Sequence, residues 1–147
     1  MTLLDYAEKP GQSEEQNMSE IPSECRYIAT HQWARLEADG LVTVGITDYA
    51  QKMLGDVVFV ELPEEGDDVV QEQDVAVAES VKSASDVYAP VSGVVVAINE
   101  DLEDAPELVN DDPYGDGWLF QVRVEGDDPM AGLMDADAYR ELLAGDA

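Results

Sequence analysis

The sequence predicts an all-β barrel or sandwich whose helices are short and peripheral. Two observations support this class: strand-like runs of Val, Ile, Thr and aromatic residues are short and follow one another closely, and turns rich in Gly, Pro, Asn or Asp separate most of them. The chain has 147 residues, of which 45% are hydrophobic. This length and composition fit a single folded domain with a buried core.

The first 20 residues differ from those that follow. They are polar around the break at Pro10 and Gly11 and show no hydrophobic periodicity. Segments of this kind cannot bury enough apolar surface to offset the entropy lost on ordering. We therefore expect residues 1–20 to form a disordered extension and residues 21–147 to form the folded domain.

Nine segments have the composition of β-strands. In chain order they are residues 27–29, 31–36, 41–46, 56–62, 69–70, 74–78, 87–91, 94–98 and 118–124. A turn at 38–40 joins the second and third segments into a hairpin, Pro63 ends the fourth, and a turn at 92–93 precedes the eighth. The valine-rich runs 57–60 and 94–98 are expected to supply much of the core.

Two helices are expected beside these strands. Thr47 or Asp48 can cap a short helix over 49–54, and the glycine that follows ends it. Apolar residues recur at helical spacing near the carboxyl end, which predicts an amphipathic helix over 135–144. The segment 99–117 is rich in Asp, Pro and Gly and is expected to be a loop.

The charge balance of the chain is extreme. Lys and Arg total 7 and Asp and Glu total 34, which gives a net charge of −27. Such a chain has no basic surface that could neutralise nucleic-acid phosphates or anionic lipid headgroups, so both classes of partner are excluded. The acids are spread along the chain rather than gathered in a tail, which indicates a high-salt cytoplasm and a halophilic prokaryote. An ordinary acidic protein of a low-salt cell is the alternative.

Few groups could carry catalysis or bind a metal. Cys25 is the only cysteine and His31 the only histidine, which excludes an intramolecular disulfide, a cysteine-based metal cage and a multi-histidine site. We expect His31 to be a structural hydrogen-bonding residue, and we expect neither catalytic residues nor a metal site. No apolar run approaches the ~20 residues of a membrane span, and no signal-peptide pattern is present. We therefore expect a soluble, cytoplasmic protein.

One lysine has an unusual setting. The lysines are Lys9, Lys52 and Lys82, and Lys82 lies in a small polar tip between two strand-like runs. An amine at the apex of a hairpin is accessible to a modifying enzyme, and the small residues beside it offer little obstruction. The alternative is a surface lysine that neutralises Glu79 and Asp86.

Five motifs, in order, resemble the H proteins of the glycine cleavage system. They are Gly-Ile-Thr-Asp-Tyr-Ala-Gln at 45–51, Leu-Gly-Asp-Val-Val-Phe-Val-Glu-Leu-Pro at 54–63, Glu-Ser-Val-Lys-Ser-Ala-Ser-Asp at 79–86, Ala-Pro-Val-Ser-Gly at 89–93 and Pro-Tyr-Gly-Asp-Gly-Trp at 113–118. The resemblance extends from about Tyr27 to Leu143. It implies a barrel-sandwich hybrid of the biotinyl/lipoyl-carrier type, with a short peripheral helix and a carboxyl-terminal helix.

The resemblance implies that Lys82 carries lipoic acid as a covalent lipoyl-lysine. In the H-protein pattern this lysine follows Glu-Ser-Val, as it does here, whereas biotin carriers resemble Met-Lys-Met and lipoyl domains of 2-oxoacid dehydrogenases resemble Asp-Lys-Ala. Val81 is expected to anchor the turn by packing. The polar residues expected to face the lipoate-attaching enzyme are Glu79, Ser80, Ser83 and Asp86.

Two residues depart from the family pattern near this lysine. Gln32 stands where the family usually has Glu before Trp33, and Met53 stands where some relatives have His. In relatives a carboxylate at the first position helps to form the cleft that shelters the loaded arm. Gln32 can accept a hydrogen bond but carries no charge, so Asp86 is expected to supply that charge.

The resemblance also implies the function. The chain would be a non-catalytic carrier that shuttles the aminomethyl group of glycine on lipoyl-Lys82, from the pyridoxal-phosphate glycine decarboxylase to the aminomethyltransferase, and a dihydrolipoamide dehydrogenase would reoxidise the arm. One alternative is an H-like protein that relays lipoate to 2-oxoacid dehydrogenases. Another is an unmodified β-domain that binds partners through its acidic face.

Overall fold

The computed structural model describes residues 20–38, 40–126 and 130–146. All of the predicted extension except Glu20 lies outside the described residues, and so does Asp39 of the predicted turn. The described residues form nine strands and four helices.

The strands are short and are separated by turns or small helices. They are β1 (Arg26–Tyr27), β2 (Gln32–Leu36), β3 (Leu41–Ile46), β4 (Val57–Glu61), β5 (Asp68–Val69), β6 (Asp74–Ser80), β7 (Ala84–Tyr88), β8 (Gly93–Ile98) and β9 (Phe120–Arg123). The helices are α1 (Asp48–Leu54), α2 (Asp101–Asp104), α3 (Leu108–Asp111) and α4 (Ala136–Asp146).

The strands form two antiparallel sheets. The larger sheet has the order β1-β2-β3-β9-β8-β5, and the smaller has the order β4-β6-β7. Buried side chains of both sheets, among them Val44, Val60, Val87 and Val122, belong to one apolar cluster. This is the all-β architecture that the sequence predicts.

The hairpin and the first helix form as the sequence predicts. In the β2–β3 pair Trp33 lies opposite Gly45, where an added Cβ would lie 2.7 Å from the indole ring. The Thr47 hydroxyl accepts a hydrogen bond of 3.1 Å from the Ala50 N–H and so caps α1. Gly55 follows the last residue of α1 with a φ of 87°, a conformation that favours glycine.

Two predicted segments differ from the structure. The strand predicted at 87–91 begins three residues earlier, as β7. It pairs with β6 in a hairpin, and both strands extend to the turn that carries Lys82. The loop predicted at 99–117 contains α2 and α3, each a single turn that buries one apolar side chain, Leu102 and Val109 respectively. An apolar residue isolated among acids gives no periodic signal, so these turns were not predictable from the pattern.

The two valine-rich runs supply the core only in part. Val57, Val60 and Val95 are buried. The other members of the runs include four side chains that are more than a third exposed: Val58, Phe59, Val94 and Val96. Successive residues of β8 point to opposite faces, so Val94 and Val96 are exposed on either side of buried Val95. In β4 a register shift between Val57 and Phe59 interrupts this alternation, and Val58 and Phe59 are exposed in succession.

The carboxyl-terminal helix packs over the start of the larger sheet. The rings of Tyr139 in α4 and Tyr27 in β1 are stacked, with centroids 4.6 Å apart. Tyr27 and Met134 exchange backbone hydrogen bonds of 2.8 and 2.9 Å just before α4 begins. The amphipathic helix predicted at 135–144 is therefore confirmed as α4. No described helix is long and apolar enough to cross a membrane.

Candidate functional site

Lys82 lies at the apex of the β6–β7 hairpin, in a turn that we call the lysine turn (residues 80–83). The Ser80 N–H donates to the Ser83 carbonyl oxygen at 2.7 Å and closes the hairpin. The Ser80 hydroxyl oxygen accepts from the backbone N–H groups of Lys82 at 3.2 Å and Ser83 at 3.1 Å. One serine side chain thus fixes the backbone of the exposed tip, as Ser side chains commonly do in turns.

The Lys82 side chain lies across the end of α1. Its Cε is 3.1 Å from the position that a Cβ on Gly55 would occupy, and its Nζ is 3.9 Å from that position. Because Gly55 has no side chain, the lysine methylenes can pass directly over the helix end. Lys82 itself is exposed, so its amine remains open to solvent.

Val81 does not anchor the lysine turn by packing, so the prediction for this residue was wrong. Its side chain is 73% exposed. The anchor is its backbone, because the Val81 N–H donates to the Asp56 carbonyl oxygen at 3.1 Å. A side chain at the apex of a tight hairpin projects beyond the neighbouring strands and has little to pack against.

A cleft of about 350 Å³ lies between α1 and the lysine-turn end of the hairpin. Residues 30–32 and Ile46 contribute to its lining. The residues contributed by α1 are Tyr49, Ala50, Met53 and Leu54, and those contributed by the hairpin are Ala78, Ser83, Ala84, Ser85 and Val87. Among the described lining residues there is no Asp, Glu, Lys or Arg, so in a chain of net charge −27 this surface combines apolar side chains with polar ones and carries no carboxylate.

Gln32 and Asp86 were both expected to provide polar groups in the cleft, but only Gln32 lines it. Gln32 lines the cleft, is 2% exposed, and accepts a hydrogen bond from the Thr30 hydroxyl. Asp86 does not line it, although its neighbours Ser85 and Val87 do. Alternation along β7 turns the Asp86 side chain to the opposite face, so the expectation that Asp86 brings a charge into this cleft is not supported.

His31 is held in a network with the carboxyl-terminal helix. Its Nδ1 lies 2.8 Å from the Tyr139 hydroxyl, which also lies 2.8 Å from the Thr47 hydroxyl. Its backbone has a φ of 78°, and its ring packs against Tyr49 at a centroid distance of 4.8 Å. These contacts agree with the structural role expected of His31.

Two titratable groups near these elements have shifted pKa values. Burial raises the pKa of the Cys25 thiol to about 11, so this cysteine stays protonated and unreactive at neutral pH. Burial also acts to raise the pKa of Asp48, but hydrogen bonds from the Glu20 N–H and the Gln51 amide, together with the Lys52 ammonium group, leave that pKa lowered. Asp48 is therefore ionised at the start of α1, where a negative charge is favourable.

Two features of the site were missed by sequence reasoning. The contact between Gly55 and Lys82 was not predicted, because the glycine was interpreted only as the residue that ends α1. Tyr139 lies within the predicted helix at 135–144, but the apolar spacing that predicts this helix does not indicate that the Tyr139 hydroxyl reaches His31. Among the described residues no group of three or more His, Cys, Asp or Glu side chains could hold a metal ion.

Comparisons with known proteins agree in the family that they indicate. A family model described as "Glycine cleavage H-protein" matches residues 25–146. The glycine cleavage system H protein of Pseudoalteromonas atlantica is 61% identical over 126 residues, which cover 86% of this chain and 98% of the relative. That of Alteromonas mediterranea is 62% identical over 126 residues, with the same coverage of 86% and 98%.

A solved structure extends the similarity to the fold. The crystal structure of a glycine cleavage system H protein from Mycobacterium marinum matches with a TM-score of 0.76 and 39% sequence identity. The match covers 82% of this chain and 97% of that chain. Together with the two sheets described above, it confirms the barrel-sandwich fold of the lipoyl-carrier type.

Proposed function

The chain belongs to the glycine cleavage H-protein family, and from that membership we propose that Lys82 is the residue that bears its lipoyl group. The chain functions as a lipoyl carrier in the glycine cleavage system. The observation that carries the proposal for Lys82 is its place at the exposed apex of a hairpin whose backbone Ser80 fixes. A rigid scaffold with one presented amine is what an attaching enzyme requires.

The charges around Lys82 favour modification over simple neutralisation. Among the described residues Lys82 forms no ion pair, and neither Glu79 nor Asp86 is within ion-pair distance of its amine. By contrast, Lys52 pairs with Asp48 at 3.4 Å on the surface of α1. Lys82 is thus a poor candidate for a lysine that serves only to balance surface acids.

The residues beside Lys82 fit a lipoyl group. Gly55 leaves room for the lysine methylenes over the end of α1, and the cleft begins at the neighbouring residues Met53 and Leu54. These apolar side chains suit a hydrocarbon chain and a sulfur-containing ring. When bound, the lipoyl group supplies a disulfide that accepts the aminomethyl carbon and is afterwards regenerated by oxidation.

The residues of the chain then act by position alone. Ser80 holds the turn, and Leu54 and Ala84 would exclude water from the base of the arm. Gln32 would offer a hydrogen-bonding amide without charge. Cys25, the only cysteine, is buried with a raised pKa, so we propose that the chain is a non-catalytic subunit.

The partners follow from the carrier role. We propose that the chain visits a glycine decarboxylase, an aminomethyltransferase and a dihydrolipoamide dehydrogenase, and that a lipoate-attaching enzyme modifies Lys82. A tethered group reaches each active site at a high effective concentration, because binding of the carrier brings the arm with it.

Two measurements test the proposal. Intact-mass analysis and peptide mapping of the chain purified from its own host should find one lipoyl group, on Lys82. The modified chain should then support exchange of bicarbonate with the carboxyl carbon of glycine when the matching decarboxylase is added. An unmodified Lys82 would contradict the attachment site, and a modified chain that supports no exchange would contradict the carrier role.

A further inference from the structure

An exposed apolar patch lies beside the lysine turn. Its members are Val58, Phe59 and Val81, which are 52%, 51% and 73% exposed. We call these three residues the outer patch. Val58 and Phe59 are exposed in succession because a β-bulge between Val57 and Phe59 interrupts the alternation of β4.

The strand register places Phe59 beside the part of the hairpin that leads into the lysine turn. Phe59 in β4 lies opposite Glu79 in β6, and Glu79 lies opposite Ala84 in β7. Residues directly opposite in an antiparallel pair share one face. Val81 follows two residues after Glu79, and its N–H bonds to the Asp56 carbonyl oxygen just before β4. The patch therefore adjoins Lys82.

Carboxylates surround the outer patch on the same face. In the next row of the sheet Glu61 lies opposite Val77, and Val77 lies opposite Asp86. Glu61, Glu79 and Asp86 are all exposed. An apolar centre with an acidic rim is complementary to a protein surface that has an apolar socket ringed by Lys and Arg side chains.

The length of the lysine side chain indicates which enzyme must touch this patch. An enzyme that modifies the bare amine has only four methylenes between the Lys82 backbone and its own active site, so it must close over the lysine turn. Enzymes that act at the far end of an attached lipoyl arm can stand further away.

We propose that the outer patch is the docking surface for the lipoate-attaching enzyme. This inference rests on the proposed attachment at Lys82. In that reaction the Lys82 Nζ forms an amide bond with the carboxyl carbon of adenylated lipoate, AMP leaves and the amine loses a proton. The patch takes no part in this chemistry, because its role is to seat the basic socket of the enzyme so that the amine enters the active site.

The test uses the full-length unmodified chain with a lipoate–protein ligase, lipoate and ATP, and follows attachment by intact mass. The double variant Val58→Thr/Phe59→Thr removes the apolar centre but keeps residues that favour strands. The matched control is Val94→Thr/Val96→Thr on β8, which belongs to the larger sheet. These side chains are 38% and 37% exposed. Circular dichroism confirms that each variant is folded.

We expect kcat/KM for attachment to fall about tenfold in the patch variant, mainly through KM, and to change less than about twofold in the control. Glu61→Gln should weaken the dependence of KM on salt, because one charge of the rim is removed. Should the patch variant fail to fold, Val81→Thr, at the most exposed position, carries the same expectation.

Equal rates in the patch and control variants would overturn the proposal. A wild-type dimer in sedimentation that dissociates in the patch variant would overturn it as well, because the patch would then belong to a second copy of the chain. If the wild-type chain gains no lipoyl mass at Lys82, the attachment site itself is wrong and the proposal fails with it. Attachment at Lys82 with unchanged rates in the variants would leave the site standing and refute only the docking surface.

Discussion

The Cε of Lys82 lies 3.1 Å from the point that a Cβ on Gly55 would occupy. The proposed attachment residue and the end of α1 are therefore in contact only because one residue lacks a side chain. A backbone hydrogen bond of 3.1 Å from Val81 to Asp56 ties the two elements together at the same place. The lysine turn thus has a defined position relative to the cleft.

Gly55→Ala should lower stability and disturb Lys82 together. Gly55 has φ 87° and ψ −164°, a region in which a side chain costs about 1–3 kcal/mol. The added methyl group would also push the lysine methylenes away. We expect a lower melting temperature and slower lipoylation, measured by thermal unfolding and by intact mass.

Gly66→Ala is the matched control for that change. Gly66 also has a positive φ, of 96°, but a Cβ added there meets nothing within 4 Å. It should lower the melting temperature without slowing lipoylation. Equal slowing in both variants would show that the contact between Gly55 and Lys82 is irrelevant.

Lys82→Arg should abolish lipoylation and leave the fold intact. Arg keeps the positive charge, but its guanidinium group does not accept an acyl group from the attaching enzyme. We expect no gain of lipoyl mass and an unchanged circular dichroism spectrum. Lys52→Arg is the control and should be lipoylated like the wild type. Lipoate found on the Lys82→Arg chain would refute the assignment.

Much of the fold could be predicted because its signals are local. The β2–β3 hairpin, the Thr47 cap and the end of α1 at Gly55 each depend on neighbouring residues, and each was confirmed. The helices α2 and α3 depend on single buried residues within an acidic stretch, and no local pattern indicates them. The outcome for the valine-rich runs depended on which sheet face is covered, and that is decided only by tertiary packing.

The sequence allowed Lys82 to be singled out, but it did not predict how the residues around Lys82 are oriented. Lys82 could be singled out from its setting and from the family motif. The place of Gln32 in the cleft agrees with the family pattern, whereas Asp86 was expected in the cleft and lies on the opposite face of β7. The exposure of Val81 was not foreseen, because a motif gives the order of residues and not the direction of each side chain.

Gln32→Glu should add a pH-dependent loss of stability relative to wild type. It introduces the residue that is usual in the family at a position that is only 2% exposed, where burial raises the pKa of a carboxyl group. The folded state then holds a proton that the unfolded state releases, so the variant loses stability as pH rises. We expect its melting temperature to fall relative to wild type between about pH 4.5 and about pH 7.

The control for this pH profile is Gln73→Glu. Gln73 is exposed and accepts a hydrogen bond from the Val70 N–H, which a carboxylate can also accept. Its pH profile should follow that of the wild type. A difference between Gln32→Glu and wild type that stays constant with pH would contradict the burial argument.

Tyr139→Phe should destabilise the chain through lost hydrogen bonds. The Tyr139 hydroxyl is shared with His31 and Thr47, and the residue is fully buried. Leaving buried polar groups unsatisfied costs about 1–3 kcal/mol each. We expect a loss of that order in urea unfolding. The control is Tyr88→Phe, because the Tyr88 hydroxyl has no partner among the described residues; its free energy of unfolding should change little. Equal losses of stability in the two variants would contradict the hydrogen-bond network of Tyr139.

The acidity of the chain predicts a strong dependence of stability on salt. Ion pairs hold the carboxylates of Glu37, Asp48 and Asp137. With 34 Asp and Glu against 7 Lys and Arg, most of the acids have no cationic partner and repel one another. The Debye length falls from about 10 Å at 0.1 M salt to about 3 Å at 1 M. Repulsion between neighbouring acids is therefore largely removed only in molar salt, which is the condition of a high-salt cytoplasm.

We expect the melting temperature to rise steeply between about 0.1 M and about 2 M potassium chloride. Replacing Asp67, Asp68, Asp127 and Asp128 with Asn should flatten that rise without preventing lipoylation. Asn is a suitable replacement because the Asp67 side chain accepts a hydrogen bond of 3.0 Å from the Glu64 N–H, which an amide oxygen can also accept. Since small domains are stable by only about 5–15 kcal/mol, many weak repulsions can take a measurable part of that margin. A melting temperature independent of salt would remove the halophilic interpretation of the charge.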